Sequence, residues 1–245
     1  MSDGHGFTEL VAPTPGGRVF RREFHTGFSD SSPSGRIRLD AIARWLQDVA
    51  YADVADAGLA QAAVWVVRRT RIRVEQWPRF AQRFAVATYC SGLGRMWAER
   101  RTTVTGAGES SPCVEAVSLW VHLEPDRWRP TPLSEAELET YRDSAAGRRV
   151  TARLRHPPAL TGSGGERWSF RAVDCDLADH INNAAYWQPL EEELLSGEEP
   201  DTIDAEIEYR TPAQPGEVRI VRNGSHRWIV DGDGETLASI LVYRK

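Results

Sequence analysis

Apolar residues at Ile42, Trp45, Leu46, Val49 and Val54 follow one another at spacings of three, one, three and five residues, which keeps them on one helical face. That stripe predicts an amphipathic helix, with Asp40 as its N-cap and Gly58 as the glycine that ends it. Residues 18–28 upstream read as a strand, followed by a Ser-rich loop at 29–35. Four strand-like segments follow, at 63–75, 84–90, 96–105 and 113–123. Phe84, Val86 and Thr88 share one face of the second, and Val117, Leu119 and Val121 one face of the fourth. One helix followed by a meander of long strands predicts an antiparallel sheet wrapped around that helix.

The order then repeats. A short helix is expected near Ser134, where Ser134-Glu135-Ala136-Glu137 has the form of a capping box. Pro157, Pro158 and the Gly-rich run at 161–165 read as a connection. Beyond it come a strand at 168–173, a helix from about 183 to 195 interrupted and kinked by Pro189, and strands at 202–209, 217–222, 227–230 and 236–244. Ile72-Arg73-Val74-Glu75-Gln76-Trp77-Pro78 echoes Ile207-Glu208-Tyr209-Arg210-Thr211-Pro212 at an offset of about 135. The fold class is α+β with two related units in tandem: a flexible tail over 1–17, a first unit over 18–145, a linker over 146–166 and a second unit over 167–245.

Composition narrows the function. The 245 residues carry a net charge of −5, which disfavours a protein that lives on the nucleic-acid backbone. Lys245 is the only lysine among the 30 basic residues, so the rest are arginine, suited to bidentate contacts. Cys90, Cys113 and Cys175 lack the spacing of a disulfide framework or structural zinc site. The longest apolar run, 62–67, is far below a membrane span, and 1–17 has no signal-peptide pattern, so a soluble cytoplasmic chain is expected. His25, His122, His156 and His226 show no metal-like spacing, and no cofactor fingerprint or Gly-x-Ser-x-Gly elbow is present.

The richest stretch for chemistry is Asp174-Cys175-Asp176, then Ala178, Asp179, His180, Asn182, Asn183 and Tyr186, with Glu191-Glu192-Glu193 beyond. Strand alternation puts Asp174 and Asp176 on one face and Cys175 on the other. Asn182 or Asn183 can cap the next helix, whose first N–H groups could bind an oxyanion. A carboxylate, an imidazole and an oxyanion site at one junction suit addition of water to an acyl carbon. Cys175 is a poor nucleophile, because flanking aspartates raise its thiol pKa. Glu192 is chosen over Glu191 as a site residue by its spacing to Tyr186. Alternation sends Arg69, Arg71 and Arg73 to one face, either solvated or a docking surface for an acidic partner. Trp45 is the tryptophan selected to line a ligand tunnel.

The Asp-x-Asp-x-x-x-His-Ile-Asn-Asn-x-x-Tyr pattern over Asp174–Tyr186 resembles the signature of hotdog-fold thioesterases. Leu39–Ala50, Trp65–Val74 with Pro78, and Ser118–Val121 narrow the resemblance to the acyl-acyl-carrier-protein (acyl-ACP) thioesterases. The resemblance implies a tandem double hotdog, each half a long helix wrapped by an antiparallel sheet. It implies hydrolysis of the thioester between a fatty acyl chain and the phosphopantetheine arm of its carrier. The sequence itself indicates no metal or organic cofactor and leaves monomer and homodimer both open. The second half would supply the catalytic groups, Asp176, His180, Asn182 and Glu192. The substrate would meet Trp45, Asn183, Arg69 and Arg71. Asp176 would direct water or attack directly. The sequence departs from the plant pattern at Ala178, where an Asn is frequent, and at Pro212 and Ala213, where a Glu-Cys pair stands. Those departures leave two other readings: an acyl-CoA thioesterase, and a non-hydrolytic acyl- or carrier-binding double hotdog.

Overall fold

A computed structural model describes residues 6–60, 64–159 and 164–244. The chain forms β1 (Phe20–His25), α1 (Leu39–Asp56), β2 (Val64–Val74), β3 (Arg83–Leu93), β4 (Trp97–Gly106), β5 (Val114–Leu123) and α2 (Glu135–Ala145). The second half contributes β6 (Glu166–Phe170), α3 (Gln188–Leu195), β7 (Ile203–Tyr209), β8 (Gly216–Asn223), β9 (His226–Val230) and β10 (Thr236–Arg244). All ten strands join one sheet in the order β1-β3-β4-β5-β2-β7-β10-β9-β8-β6. Adding five to each label of the first half gives the second half in reverse, so the sheet is two copies of one topology meeting at β2 and β7. Each copy wraps its own helix, the double-hotdog α+β arrangement.

The stripe on α1 buries Leu39, Ile42, Trp45, Leu46 and Val49 in one core that continues through both halves. Gly58 ends α1 at φ +72°, with Leu59 N–H bonding Val54 O and Gly58 N–H bonding Ala55 O at 2.9 and 3.0 Å. The capping box also forms, with Ser134 Oγ accepting from Glu137 N–H at 3.3 Å and Glu137 Oε2 accepting from Ser134 N–H at 2.7 Å. The N-terminus of α1 differs from expectation. Arg38 occupies the cap without a side-chain bond, and Asp40 lies in the first turn, paired with Arg38 and Arg44. The Leu39 N–H is satisfied from a distance by Glu191 Oε2 at 2.9 Å.

The second helix is shorter than its pattern predicts. A 3-10 turn at Ala185–Trp187 precedes α3, and Pro189 lies in the first turn of α3 rather than interrupting it. Proline is tolerated there because a first-turn N–H has no helical acceptor to lose. The strand expected at 168–173 ends at Phe170, and Ala172–Asp174 is a 3-10 turn. Strand alternation therefore does not extend to Asp174 and Asp176. Asp174 is buried and accepts from Arg171 N–H at 2.7 Å, whereas Asp176 is exposed.

The halves join along an antiparallel seam. Thr70, Ile72 and Val74 of β2 face Ile207, Ala205 and Ile203 of β7 on the core side. On the outer side Arg69, Arg71 and Arg73 face Glu208, Glu206 and Asp204. Arg71 holds Asp204 through two bonds of 2.8 and 2.6 Å and is 1% exposed. Arg69, also buried, lies 3.8 Å from Glu208 and donates to Arg153 O. Both residues are thus internal, and the substrate-docking role expected of them is corrected.

Two segments cover that face. The loose tail expected over 1–17 does not hold for residues 6–17. Phe7 is buried beneath the Arg71 guanidinium and against Tyr243, and Thr8 N–H donates to Glu206 at 2.8 Å. Residues 1–5 lie outside the described residues. In the connection, Arg155 and His156 donate backbone N–H groups to Glu208, and Arg155 Nη2 reaches Glu206 at 2.6 Å. Residues 160–163, most of the Gly-rich run, lie outside the described residues. No helix among the described residues is long and apolar enough to cross a membrane.

Burial alone would push the Glu206 carboxyl up, but hydrogen bonds from His156 and Thr8 and the Arg155 charge hold it down at about 2. Above pH 4.5, its ordinary value, the folded and unfolded chains both carry the ionised group. As pH falls below that, the unfolded chain binds a proton that the folded chain does not take up until about pH 2, so this stabilisation is lost across that interval. Urea unfolding as a function of pH is expected to show that loss, and Glu206→Gln to remove its contribution to the slope. An unchanged slope in the variant would contradict the assignment.

Candidate active site

Two turn-to-helix junctions are built on one plan. In the first, Gly27 N–H bonds Asp30 Oδ2 at 2.8 Å, Ser32 N–H bonds Arg36 O at 2.8 Å, and Arg38 N–H bonds Asp30 O at 2.9 Å. In the second, Arg171 N–H bonds Asp174 Oδ2, Asp176 N–H bonds His180 O, and Asn182 N–H bonds Asp174 O, at 2.7, 3.0 and 2.8 Å. Ile37 N–H donates to Pro78 O, and Ile181 N–H to Ala213 O. Gly35 and Asp179 hold the matching left-handed position at φ +83° and +58°, a conformation Asp accepts more readily than most residues. Asp176 therefore stands where the first junction has Ser32, His180 where it has Arg36, and Asn182 where it has Arg38.

The second junction faces a cavity of about 500 Å³. Gln47, Ala50, Tyr51 and Val54 line it from one face of α1, so it extends about 10 Å along that helix. Asp176, Leu177, Ala178 and Asn182 line it near Gln47. Toward the other end of α1, Cys90, Arg100 and Tyr141 line it, and Arg100 is held by Asp53 at 2.7 Å. Leu177 and Tyr51 are exposed and form its lip. Burial raises the Cys90 thiol to about 11 and the Tyr141 hydroxyl to about 12, so both stay protonated near neutral pH.

Asp176 is fixed at both oxygens. Oδ1 accepts from Ala178 N–H at 2.9 Å, and Oδ2 accepts from Asn182 Nδ2 at 3.0 Å. Asn182 Oδ1 accepts from Ala184 N–H at 2.9 Å in the turn ahead of the 3-10 segment, but neither Asn182 nor Asn183 is a helix cap as expected: Ala184 and Trp187 hold those places without a side-chain bond. The Asn182 amide also forms a reciprocal pair with Gln47, at 3.1 and 3.2 Å. Gln47 lies next to Leu46 within Leu39–Ala50, a stretch used above for its family likeness, but nothing at its own position signals chemistry, so sequence reasoning did not single it out. The amides of this turn, well ahead of α3, are largely engaged: Asn182, Ala184 and Ala185 donate to Asp174 O, Asn182 Oδ1 and Asn182 O.

The other expected site residues lie elsewhere. The His180 ring is half-buried against Trp128, centroids 6.4 Å apart, and does not line the cavity. Asn183 lines a small neighbouring cavity that shares Gln47 and Trp120 with the large one. Trp45 is packed between Phe24 and Phe84 in the core, while Trp65 and Trp120 line the cavity instead. The Cys175 thiol is raised by partial desolvation and by Asp179, Asp176 and Asp174.

Glu192 is exposed and off the cavity. Its neighbour Glu191 is the buried one, 2.8 Å from the buried Arg36, which stacks over Trp77. The polar atoms of His156, Glu206 and Glu208 come within 4.8 Å of one another, a grouping able to hold a cation. Arg155 and backbone N–H groups already occupy those carboxylates, which makes the cluster an ion-pair network of the seam.

Removing Glu191 takes one carboxylate from the buried Arg36 and leaves it the partly exposed Glu199 at 3.1 Å. Chemical unfolding is expected to show Glu191→Ala losing less than the ~3–5 kcal/mol of a fully orphaned charge, but well above about 1 kcal/mol, and Glu192→Ala changing stability by less than about 0.5 kcal/mol. Equal effects would contradict the placement of the two carboxylates.

Comparisons with known proteins agree with this architecture. The crystal structure of an acyl-ACP thioesterase from Bacteroides thetaiotaomicron superposes with a TM-score of 0.77 at 16% identity, covering 93% of this chain and 98% of that one. The 12:0-ACP thioesterase from Umbellularia californica gives 0.71 at 18% identity, over 93% and 98%. A chloroplastic oleoyl-acyl carrier protein thioesterase from Coriandrum sativum is 23% identical over 63% of this chain and 45% of its own length. An uncharacterized Mycobacterium tuberculosis protein is 27% identical over 90% of this chain and 88% of its own. The family described as the acyl-ACP thioesterase N-terminal domain matches residues 17–141, about half of the sequence, and the chain belongs to the acyl-ACP thioesterase family, whose members are thiolester hydrolases.

Proposed function

We propose that this protein hydrolyses fatty acyl-ACP to free fatty acid and carrier protein, in the cytoplasm and in the service of fatty acid synthesis. One observation carries the reading: a doubly hydrogen-bonded carboxylate, Asp176, stands at the mouth of a 500 Å³ cavity large enough for an acyl chain. Three free thiols suit a reducing compartment.

The acyl chain lies along α1, with the thioester at the Asp176 end. Each Asp176 oxygen keeps a lone pair beyond its single hydrogen bond, and one accepts a proton from water. The water oxygen bonds to the acyl carbon, and the carbonyl electrons move onto oxygen. The Asn183 N–H, which has no partner among the described residues, is the candidate donor to that oxyanion. Collapse breaks the C–S bond, and the thiolate takes the proton. A thiol of pKa about 8.5 leaves without a strong acid. His180, off the cavity wall beside Trp128, is assigned to the carrier-arm side of the thioester. Residues 212 and 213 contribute no acid here. Ala213 instead uses its backbone, donating to Tyr186 OH at 2.7 Å and accepting from Ile181.

The departure at Ala178 favours a second reading, because that methyl lies on the cavity wall where a polar side chain could assist chemistry. In that reading the protein binds acyl groups without cleaving them. Thiol release from matched acyl-ACP and acyl-CoA thioesters separates the possibilities. Hydrolysis preferring the carrier protein is expected. Asp176→Asn should lose about 10²–10⁴-fold in turnover while still binding acyl chains, and His180→Ala should lose less. Acyl binding without any turnover would support the second reading.

A further inference from the structure

We propose that Gln47, on α1 of the first half, is a positioning residue for the Asp176 site and acts through Asn182. The inference rests on the hydrolytic reading above and adds a residue from the opposite half to it. The Asn182 side chain has two orientations, and only one presents N–H to Asp176. Ala184 N–H sets that choice by donating to Oδ1, and the reversed amide would turn Oδ1 toward the Asp176 carboxylate. Gln47 then meets both atoms of the Asn182 amide, its Nε2 donating to Oδ1 and its Oε1 accepting from Nδ2, and so holds the amide plane where Nδ2 reaches Asp176.

The repeat supplies an independent argument. α1 and α3 each reach across to the other half's junction. From α3, Glu191 accepts the Leu39 N–H and pairs with Arg36, closing the first junction with a buried charge pair. From α1, Gln47 occupies the corresponding place at the second junction. There a neutral amide lies on the cavity wall, next to the residue that must meet substrate. A cap serving stability alone would not need that opening. The neutral amide also adds no second negative charge beside Asp176, as a Glu there would.

The test is a double-mutant cycle on the full chain, with kcat and KM for one acyl-ACP and thermal unfolding of every variant. Gln47→Leu keeps the bulk and removes the amide. Its kcat is expected to fall by about ten- to a hundred-fold, with KM little changed and Tm close to that of the wild type. Gln47→Glu keeps the reach and loses the donor. It is expected to fall likewise, and it provides the readout if the Leu variant folds poorly. Because Gln47 acts through Asn182, Gln47→Leu combined with Asn182→Ala is expected to lose no more than the worse single variant. Losses that multiply, or a KM rise at constant kcat, would make Gln47 an independent substrate contact and overturn the inference. Wild-type turnover with unaffected Gln47 variants would overturn it alone. Absence of wild-type turnover would overturn the hydrolytic reading first, and this inference with it.

Discussion

The pairing of β2 with β7 is the constraint on which the rest of this molecule depends. It brings two like-folded halves into one ten-stranded sheet. Its inner face is apolar, and its outer face sets Arg69, Arg71 and Arg73 against Glu208, Glu206 and Asp204. Each strand alone would carry a stripe of like charge. Together the stripes compensate, and a one-residue slip would turn every charged side chain into the core. Register and partner are thus specified by the same six residues. The N-terminal segment and the connection between the halves then cover the stripe at Arg69 and Arg71, which pair across the seam beneath the surface, while Arg73 stays partly exposed and pairs with Glu75.

With the register fixed, each helix lies within reach of the other half's turn-to-helix junction. The two junctions share backbone geometry but not chemistry. The first is closed by Arg36, Glu191 and Trp77. The second is left open by small or short side chains at Ala178, Asn182 and Asn183, and a cavity reaches it along α1. Duplication therefore gives one scaffold two sites, of which one has become a clamp and the other faces a ligand-sized space. The carboxylate comes from one half, while much of the cavity wall and the Gln47 amide that holds Asn182 come from the other.

Much of the fold was legible in sequence because it rests on local signals. The α1 stripe, the Ser134 capping box, Gly58 and the strand alternation each report on a few consecutive residues. The repeat was visible at Ile72 and Ile207, whereas the likeness of the two junctions was hidden, since hydrogen bonds of backbone atoms leave little trace in side-chain identity. Asp176 and Asn182 were found from their spacing. Glu191, Gln47 and the burial of Arg69 and Arg71 were not, because each depends on a partner more than 130 residues away or on cover supplied by another segment. Trp45 was misplaced for a similar reason. Helical periodicity shows that it faces inward, but not whether packed side chains or a cavity lie there.

The central claim is that the acyl chain occupies the α1 cavity with its reacting carbon at Asp176. A crystal structure with a non-hydrolysable acyl-pantetheine amide tests it most directly. The account predicts the chain lying against Tyr51 and Val54, with its carbonyl within hydrogen-bond reach of the Asp176–Asn182 pair. An acyl chain bound outside this cavity, or one inside it with its carbonyl at the Tyr141 end, would contradict the account.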